Sequence, residues 1–534
     1  MNKTVTLTDS IIGTLARRGI KRMFGVPGGG SSLNLIDSAA RHGIEFVLCR
    51  TETAAAIMAA VTGELTGVPG IVLSGIGPGA ASVVNGIAYA SLERAPVILF
   101  TDTPHQSATA PPHQIFNQRA LFNPISKDQI HLEPESGARD FERLINLAAA
   151  EPPGPVHIDL SAEDAAAEVS LTTVAKLPHT ESVDTEALTL AARLLQGAHM
   201  PILIVGHQCR TADRAASTNL LVDGLGAPVM TTYKAKGVVP ESDPRYVGHF
   251  TGAKLEHTVL AESDLIVFCG VDPVEIIPGK WTHTAPVVVL SETGGLAWPF
   301  DAEAEVAGSV KKSASILAGN ITESHWTGDA IARHRARIRQ TLANNATARR
   351  SPDEIVDAVS AAAPDNARLT VDAGAHMFSV MARWPANLPY DVLKSNGLSS
   401  MGFAVPAALA SWLEEPDRAT IALTGDGGMM MCLAELSTAA RLGANLTVVV
   451  MNDAALSLID IKQQRQQRPP LGVRYPKADF AAAARGMGCH AWTVGAQDPL
   501  EFAIDEAFET SGPTLVDVSV DPSGYRDQLI ALRG

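Results

Sequence analysis

Two short segments in the last third of the chain hold the residue types from which a metal and phosphate site can be built. The first reads Ala422-Leu-Thr-Gly425-Asp426-Gly427-Gly428, an apolar run that ends in glycines around a carboxylate, ahead of a helical stretch at 429–442. Glycine lets backbone approach a phosphate closely, and the amides that open a helix favour anions. A carboxylate in that place would repel a diphosphate unless a cation lay between them. The second segment, Leu446-Thr-Val-Val-Val-Met451-Asn452-Asp453, is another apolar strand ending in an acid. The 27 residues from Asp426 to Asp453 leave room for a helix and a return strand, so both acids reach one carboxyl edge of a parallel sheet. Hard oxygen ligands joined by diphosphate oxygens suit octahedral Mg²⁺. Gly-Asp-Gly alone is also a turn, and Asn-Asp is a common turn pair; the spacing and the intervening elements give the pair its weight.

A third acid stands far from these in sequence. Cys49-Arg50-Thr51-Glu52-Thr53 places Glu52 just after a strand and at the mouth of an Ala-rich helix. A first-turn carboxylate is favourable to the helix dipole, and that alone could explain it. Phe24-Gly25-Val26-Pro27-Gly28-Gly29-Gly30 is a strand followed by a glycine turn.

These segments need a scaffold of alternating strands and helices. Strand patterns at 22–26, 45–49, 70–74, 96–101 and 155–159 alternate with helical periods at 9–18 and 31–41. A second set of strands follows a linker at 161–185, at 201–205, 228–231, 264–268 and 286–290, and a polar helical stretch at 325–350 leads out of it. A third set runs through 368–371, 419–423, 446–451 and 514–520. The expected fold is α/β, with three tandem doubly wound parallel-sheet domains at 1–165, 186–340 and 350–534 and no close repeat relating them.

The length of 534 residues fits three such domains better than one core. A net charge of −15 without a basic cluster argues against nucleic acid and anionic lipid as partners. Neither a secretory signal nor a membrane-spanning run is evident, so a cytoplasmic protein is expected. Five scattered cysteines without a Cys-x-x-Cys pair form neither a disulfide framework nor a zinc site and are expected to be packing residues.

Over essentially its whole length the chain resembles the thiamine-diphosphate-dependent enzymes of the acetolactate synthase (acetohydroxyacid synthase), pyruvate oxidase and 2-oxoacid decarboxylase group. In that family the motif from Gly-Asp-Gly to Asn-Asp binds Mg²⁺ and diphosphate. The resemblance implies Asp426 and Asp453 as metal ligands, the Ala455 carbonyl as a third, and Gly425, Gly427 and Gly428 against the cofactor. Gly428 stands where many members carry a Ser. Leu398-Ser-Ser-Met401-Gly402 resembles the loop whose bulky residue, here Met401, wedges beneath the thiazolium, with the Ser399 carbonyl and Met401 amide holding the aminopyrimidine. Asp372-Ala-Gly374-Ala-His376 resembles the segment whose His contacts diphosphate. Glu52 is implied to hydrogen-bond N1′ of the pyrimidine and so to drive formation of the C2 nucleophile. Val26 and Gly28 match the loop beside the reacting centre, which in decarboxylases carries a His that this chain lacks.

Pro112-His113-Gln114 precedes Lys127 by the interval at which synthases place Phe-Gln before their Lys. Gln114 is thereby implied to reach the substrate adduct. His113 departs from the family, replacing an aromatic wall, and is a candidate to bind an acidic substrate or to shuttle a proton. In the central segment Gly248-His-Phe-Thr-Gly252 resembles a nucleotide loop, but Gly270-Val-Asp-Pro-Val-Glu275 lacks the synthases' Arg-Phe-Asp-Asp run. That argues against FAD and leaves an empty or differently filled cleft open. The family implies a homodimer at the least and a homotetramer by preference. The expected reaction is decarboxylation of a 2-oxoacid and ligation of the resulting enamine to a carbonyl acceptor. Cleavage of 2-hydroxy ketones (acyloins) or 1,2-diketones, simple decarboxylation, and a non-catalytic nucleotide-binding scaffold are the alternatives.

Overall fold

The computed structural model describes residues 4–107, 113–170, 182–319, 322, 324–346 and 350–533. Three six-stranded sheets organise them, and within each every neighbouring pair is parallel. Numbering strands in chain order inside each sheet, the first and the last share one order, 2-1-3-4-6-5, and the central sheet runs 3-2-1-4-5-6. Central strands such as Val97–Asp102, Pro201–Val205 and Leu446–Asn452 are buried at every residue, which is why they read as unbroken apolar runs rather than alternating ones. The α/β class with three parallel sheets is as expected from the sequence.

By packing, the described residues form two units. One comprises those within Met1–His179, Val405–Asp417 and Cys432–Ala444; the other comprises those within Thr180–Ala404, Arg418–Met431 and Asn445–Gly534. The first unit holds the first sheet, around a core that includes Ile11, Ile71, Phe100, Phe141 and Ile158. The second holds the central sheet, with Ile204, Val267, Phe268 and Val289 in its core, and the last sheet, cored by Leu369, Leu423, Val449 and Val516.

Several elements differ from expectation. The helix expected at 429–442 is two, Asp426–Cys432 and Glu435–Leu442, and it breaks where the chain passes from one packing unit to the other. The helical stretch at 325–350 is shorter, Gly328–Thr341, capped by the Thr327 side chain on the Ala330 amide. Part of the expected linker is ordered structure: the helix Ala162–Ala166 and the strand Glu168–Ser170, which pairs antiparallel with Thr4–Thr6. Residues 171–181 of that linker and 108–112 of the Pro112 segment lie outside the described residues. All five cysteines are buried and free. Among the described residues no helix is long and apolar enough to cross a membrane.

Candidate active site

In the last sheet, strand Thr420–Gly425 lies between Arg368–Val371 and Leu446–Asn452, with Gly425 opposite Met451. That register puts Asp426 level with Asn452 and Asp453 one residue beyond, so the two acids leave adjacent strands at the same edge. In a 2-1-3-4 order the connections diverge between the first and third strands, and a crevice opens at their carboxyl ends. A cavity of about 590 Å³ occupies it, lined by Gly374, His376, Ser399, Met401, Gly425–Gly428, Asp453 and Ala455 among others. Every candidate residue beyond position 370 therefore meets at one cavity, of ordinary size for a small-molecule site.

The polar atoms here are poorly satisfied. Asp426 is buried; its Oδ1 accepts from the Gly427 amide at 2.9 Å, but its Oδ2 has no partner. Burial, then the charge of Asp426, pushes the Asp453 carboxyl up to about 7, although Ser457 donates to it. His376 is buried with Nε2 unpartnered, and burial holds its imidazole down at about 4, hence neutral. Its ring lies 2.7 Å from where a Cβ on Gly374 would be and 3.0 Å from one on Gly425, so both glycines make room for it. The Tyr475 hydroxyl, buried near Asp426, is also without a hydrogen bond of good geometry. Buried polar atoms are rarely left so in folded proteins, and two like charges at a cavity wall call for a cation. Among the described residues no three His, Cys, Asp or Glu side chains are grouped to hold a metal, so a cation here needs backbone and ligand oxygens as well.

Ala454, between Asp453 and Ala455, has φ +59, and Ser399 has φ +53. Such backbone is costly away from glycine and survives where its surroundings hold it. The Ala454 carbonyl accepts from the Tyr475 amide at 3.2 Å, and Leu456 donates to the Val473 carbonyl at 2.8 Å, which fixes the turn that aims Asp453.

At the edge of the first sheet, Glu52 opens helix Glu52–Thr66, capped by the Thr51 side chain on the Ala54 amide. Its Oε1 lies 3.3 Å from where a Cβ on Gly79 would be, and among the described residues no hydrogen bond or ion pair engages its carboxylate. The residues before it are fixed: the buried Glu435 accepts from the Arg50 amide at 2.9 Å and the Thr51 amide at 3.1 Å. Arg441 donates to the Leu48 carbonyl at 2.6 Å. Val26 is half-buried at its strand end. Gly28 is pressed on the buried Asp102, whose Oδ2 lies 2.2 Å from where its Cβ would be. Asp102 accepts from the amides of Gly30 and Ser32 and the hydroxyls of Ser31 and Ser32.

Three family models match the chain. The N-terminal TPP binding domain of thiamine pyrophosphate enzymes matches residues 5–128, their central domain 188–312, and their C-terminal TPP binding domain 372–518. The chain belongs to the thiamine pyrophosphate enzymes. It is similar to an acetolactate synthase of Bacillus subtilis (24% identical, covering 96% of this chain and 93% of the relative) and a catabolic acetolactate synthase of Raoultella terrigena (26%, 97% and 95%). It is similar also to a probable 2-ketoarginine decarboxylase of Pseudomonas aeruginosa (27%, 97% and 94%).

In this thiamine pyrophosphate enzyme His113 and Gln114 lie on an exposed loop. Gln114 has φ +61, and its carbonyl oxygen is 1.9 Å from where a Cβ on Gly77 would be. Gln114 and Glu52 thus flank two ends of one turn, at Gly77 and Gly79. Gln118, which sequence reasoning missed, ties that turn down by accepting from the Gly77 amide at 3.0 Å and donating to Asp159 at 3.0 Å. Lys127 turns away: its Nζ donates to the carbonyls of Leu147, Ala150 and Pro152. In the central sheet the loop at 248–252 spends its amides internally. Those of Thr251, Gly252 and Ala253 all donate to Glu256, a carboxylate that burial raises to about 7. This occupies the donors a nucleotide phosphate would need.

Sequence reasoning also passed over Asp102, Asp372, Glu435 and Tyr475. Their signal was faint: Asp102, Asp372 and Glu435 are strand-end or helix-start groups that accept from backbone amides, and Tyr475 stands in a loop near Asp426.

Proposed function

We propose that this enzyme is acetolactate-synthase-like: it decarboxylates a 2-oxoacid and joins the remaining acyl fragment to a carbonyl acceptor. One observation carries the reading, the pair of buried acids at one cavity wall, Asp426 with an unpartnered oxygen and Asp453 beside it. Thiamine diphosphate bound with Mg²⁺ supplies a carbon nucleophile and an electron sink next to a carbonyl. Asp426, Asp453 and the Ala455 carbonyl would hold the Mg²⁺. His376, neutral and with a nitrogen to spare, would contact the diphosphate with the amides of Gly425, Gly427 and Gly428. Met401 and Ser399 would seat the ring system, and Val26 and Gly28 would border it.

Glu52 would hold the proton at N1′ of the pyrimidine, a task suited to a carboxylate with no competing partner. Gln114 would reach the substrate, and His113 would meet its acidic group or pass a proton. In this reading the domains run 1–165, 186–340 and 350–534, and the enzyme works in the cytoplasm as a homodimer at the least, assembled as a homotetramer. Exposed apolar side chains at Met430 and Met431, on the helix that Asp426 opens, and at Ile115 and Phe116 beside Gln114 support assembly.

Simple decarboxylation is the second reading, favoured by the similarity to a probable 2-ketoarginine decarboxylase. The test is a screen of 2-oxoacids and acyloins with thiamine diphosphate and Mg²⁺, following CO₂ and ketone products. Ketone product with CO₂ supports ligation, CO₂ with aldehyde supports decarboxylation, and acyloin cleavage without CO₂ overturns both.

A further inference from the structure

Asp372 is fully buried and lies outside the residues that line the cavity, yet it ties together two segments whose neighbours form the cavity wall. Its Oδ1 accepts from the Phe403 amide at 2.9 Å. Its Oδ2 accepts from the Gly402 amide at 3.2 Å and from the Thr424 hydroxyl at 2.8 Å. The first two bonds grip the chain just after Met401, and the third grips the strand that ends in Gly425 and Asp426. The loop so held is strained at Ser399, with φ +53, and turns at Gly402, with φ +75; a strained residue keeps its conformation only where its surroundings fix it. Met401 in turn reaches across to Gly427, its Cε 3.1 Å from where a Cβ there would sit. Gly428 is pressed on the same carboxylate: a Cβ would come 2.2 Å from Asp372 Oδ2 and 2.9 Å from the Thr424 hydroxyl.

We propose that Asp372 is a positioning residue that sets Met401 at the height the cofactor ring requires. The inference rests on the thiamine diphosphate reading of the cavity. It separates two functions of one wall: the acids and His376 serve the diphosphate end, and Asp372 serves the ring end by holding Met401. A carboxylate suits this task because one group offers enough lone pairs for two amides and a hydroxyl, which no neutral side chain of that length does.

The test uses the full chain and two probes with Mg²⁺, thiamine diphosphate and inorganic diphosphate, with dissociation constants read by calorimetry and folding by near-ultraviolet circular dichroism. Asp372→Ala should weaken thiamine diphosphate binding about tenfold or more and inorganic diphosphate less than about threefold. Asp372→Asn, which keeps one of the two acceptor oxygens, should recover only part of the difference. Equal weakening of both probes overturns the proposal. Should Asp372→Ala fail to fold, Asp372→Asn carries the same comparison of probes with a smaller expected difference. Failure of the unaltered protein to bind thiamine diphosphate with Mg²⁺ would instead overturn the cofactor reading itself.

Discussion

The first and last sheets have the same strand order, and each closes its carboxyl edge with a similar device: a buried aspartate that accepts loop amides, with a glycine driven against it. Asp102 holds Gly30 to Ser32 and confines Gly28; Asp372 holds Gly402 and Phe403 and confines Gly428. The positions differ, since Asp102 ends the fourth strand of its sheet and Asp372 follows the first strand of the other. What stands beside the device differs more. The last sheet sets two further acids and a histidine around a large cavity, whereas the first offers one unengaged carboxylate, Glu52, on a helix mouth. Topology supplies an edge; the side chains that leave it decide whether the edge binds or activates.

That division of labour can be broken from either side. Removing the binding side should cost most: Asp426→Ala with Asp453→Ala should abolish Mg²⁺-dependent affinity for thiamine diphosphate and leave turnover undetectable, measured by calorimetry and product formation. Retained affinity would remove the cation from the site. Glu52→Gln should lower kcat by about 10²–10⁴ with cofactor affinity changed only a few-fold, because it removes a proton-holding group rather than an anchor. A large loss of affinity in that variant would make Glu52 a binding residue and erase the contrast.

A subtler break lies in what aims Glu52. Glu435→Ala strips the acceptor from the Arg50 and Thr51 amides, and an unmade buried bond costs about 1–3 kcal/mol. Turnover should fall about tenfold without loss of cofactor affinity, and Glu435→Gln, which keeps an acceptor, should restore most of it. An unchanged kcat in Glu435→Ala would mean that the helix dipole and the Thr51 cap suffice to direct Glu52.

The pair Asp426 and Asp453 was legible in the sequence as two acids at one sheet edge because strands such as Leu446–Asn452 are covered on both faces and therefore spell long apolar runs, against which a terminal acid stands out. Edge strands such as His490–Val494, half-exposed and mixed in composition, gave no such contrast, and neither did Gln129–His131 or Val392–Lys394 at three residues each. The break within 429–442 was invisible because both halves have helical composition, and only packing on two different units separates them. Asp372 and Glu435 were illegible as positioning groups for a different reason. Their partners are backbone amides, which carry no residue signature, 31 residues away for Phe403 and 385 for Arg50. The residue roles came from family resemblance, not from the residues' own pattern.

The smallest expected effect concerns pH and sharpens the binding side of the comparison. In the metal-free protein the Asp453 carboxyl is raised to about 7 by burial and by Asp426, against about 3.9 in an unfolded chain. Between those values the native state holds a proton that the unfolded state has lost, so native protein binds more protons and stability falls as pH rises through that window. His376 acts in the opposite sense, since a buried imidazole lowered to about 4 leaves the native state with fewer protons than the unfolded one up to about 6.5. The contribution of Asp453 is therefore isolated by comparison with Asp453→Asn. Without metal, the Tm of the unaltered protein should fall relative to that variant by a few degrees between about pH 4 and 7. Mg²⁺ with inorganic diphosphate should remove the slope, because a cation between the two acids reverses the reason for holding the proton. A difference in Tm that stays flat across this range would mean that Asp453 is already ionised without metal, and that the pair does not by itself demand a cation.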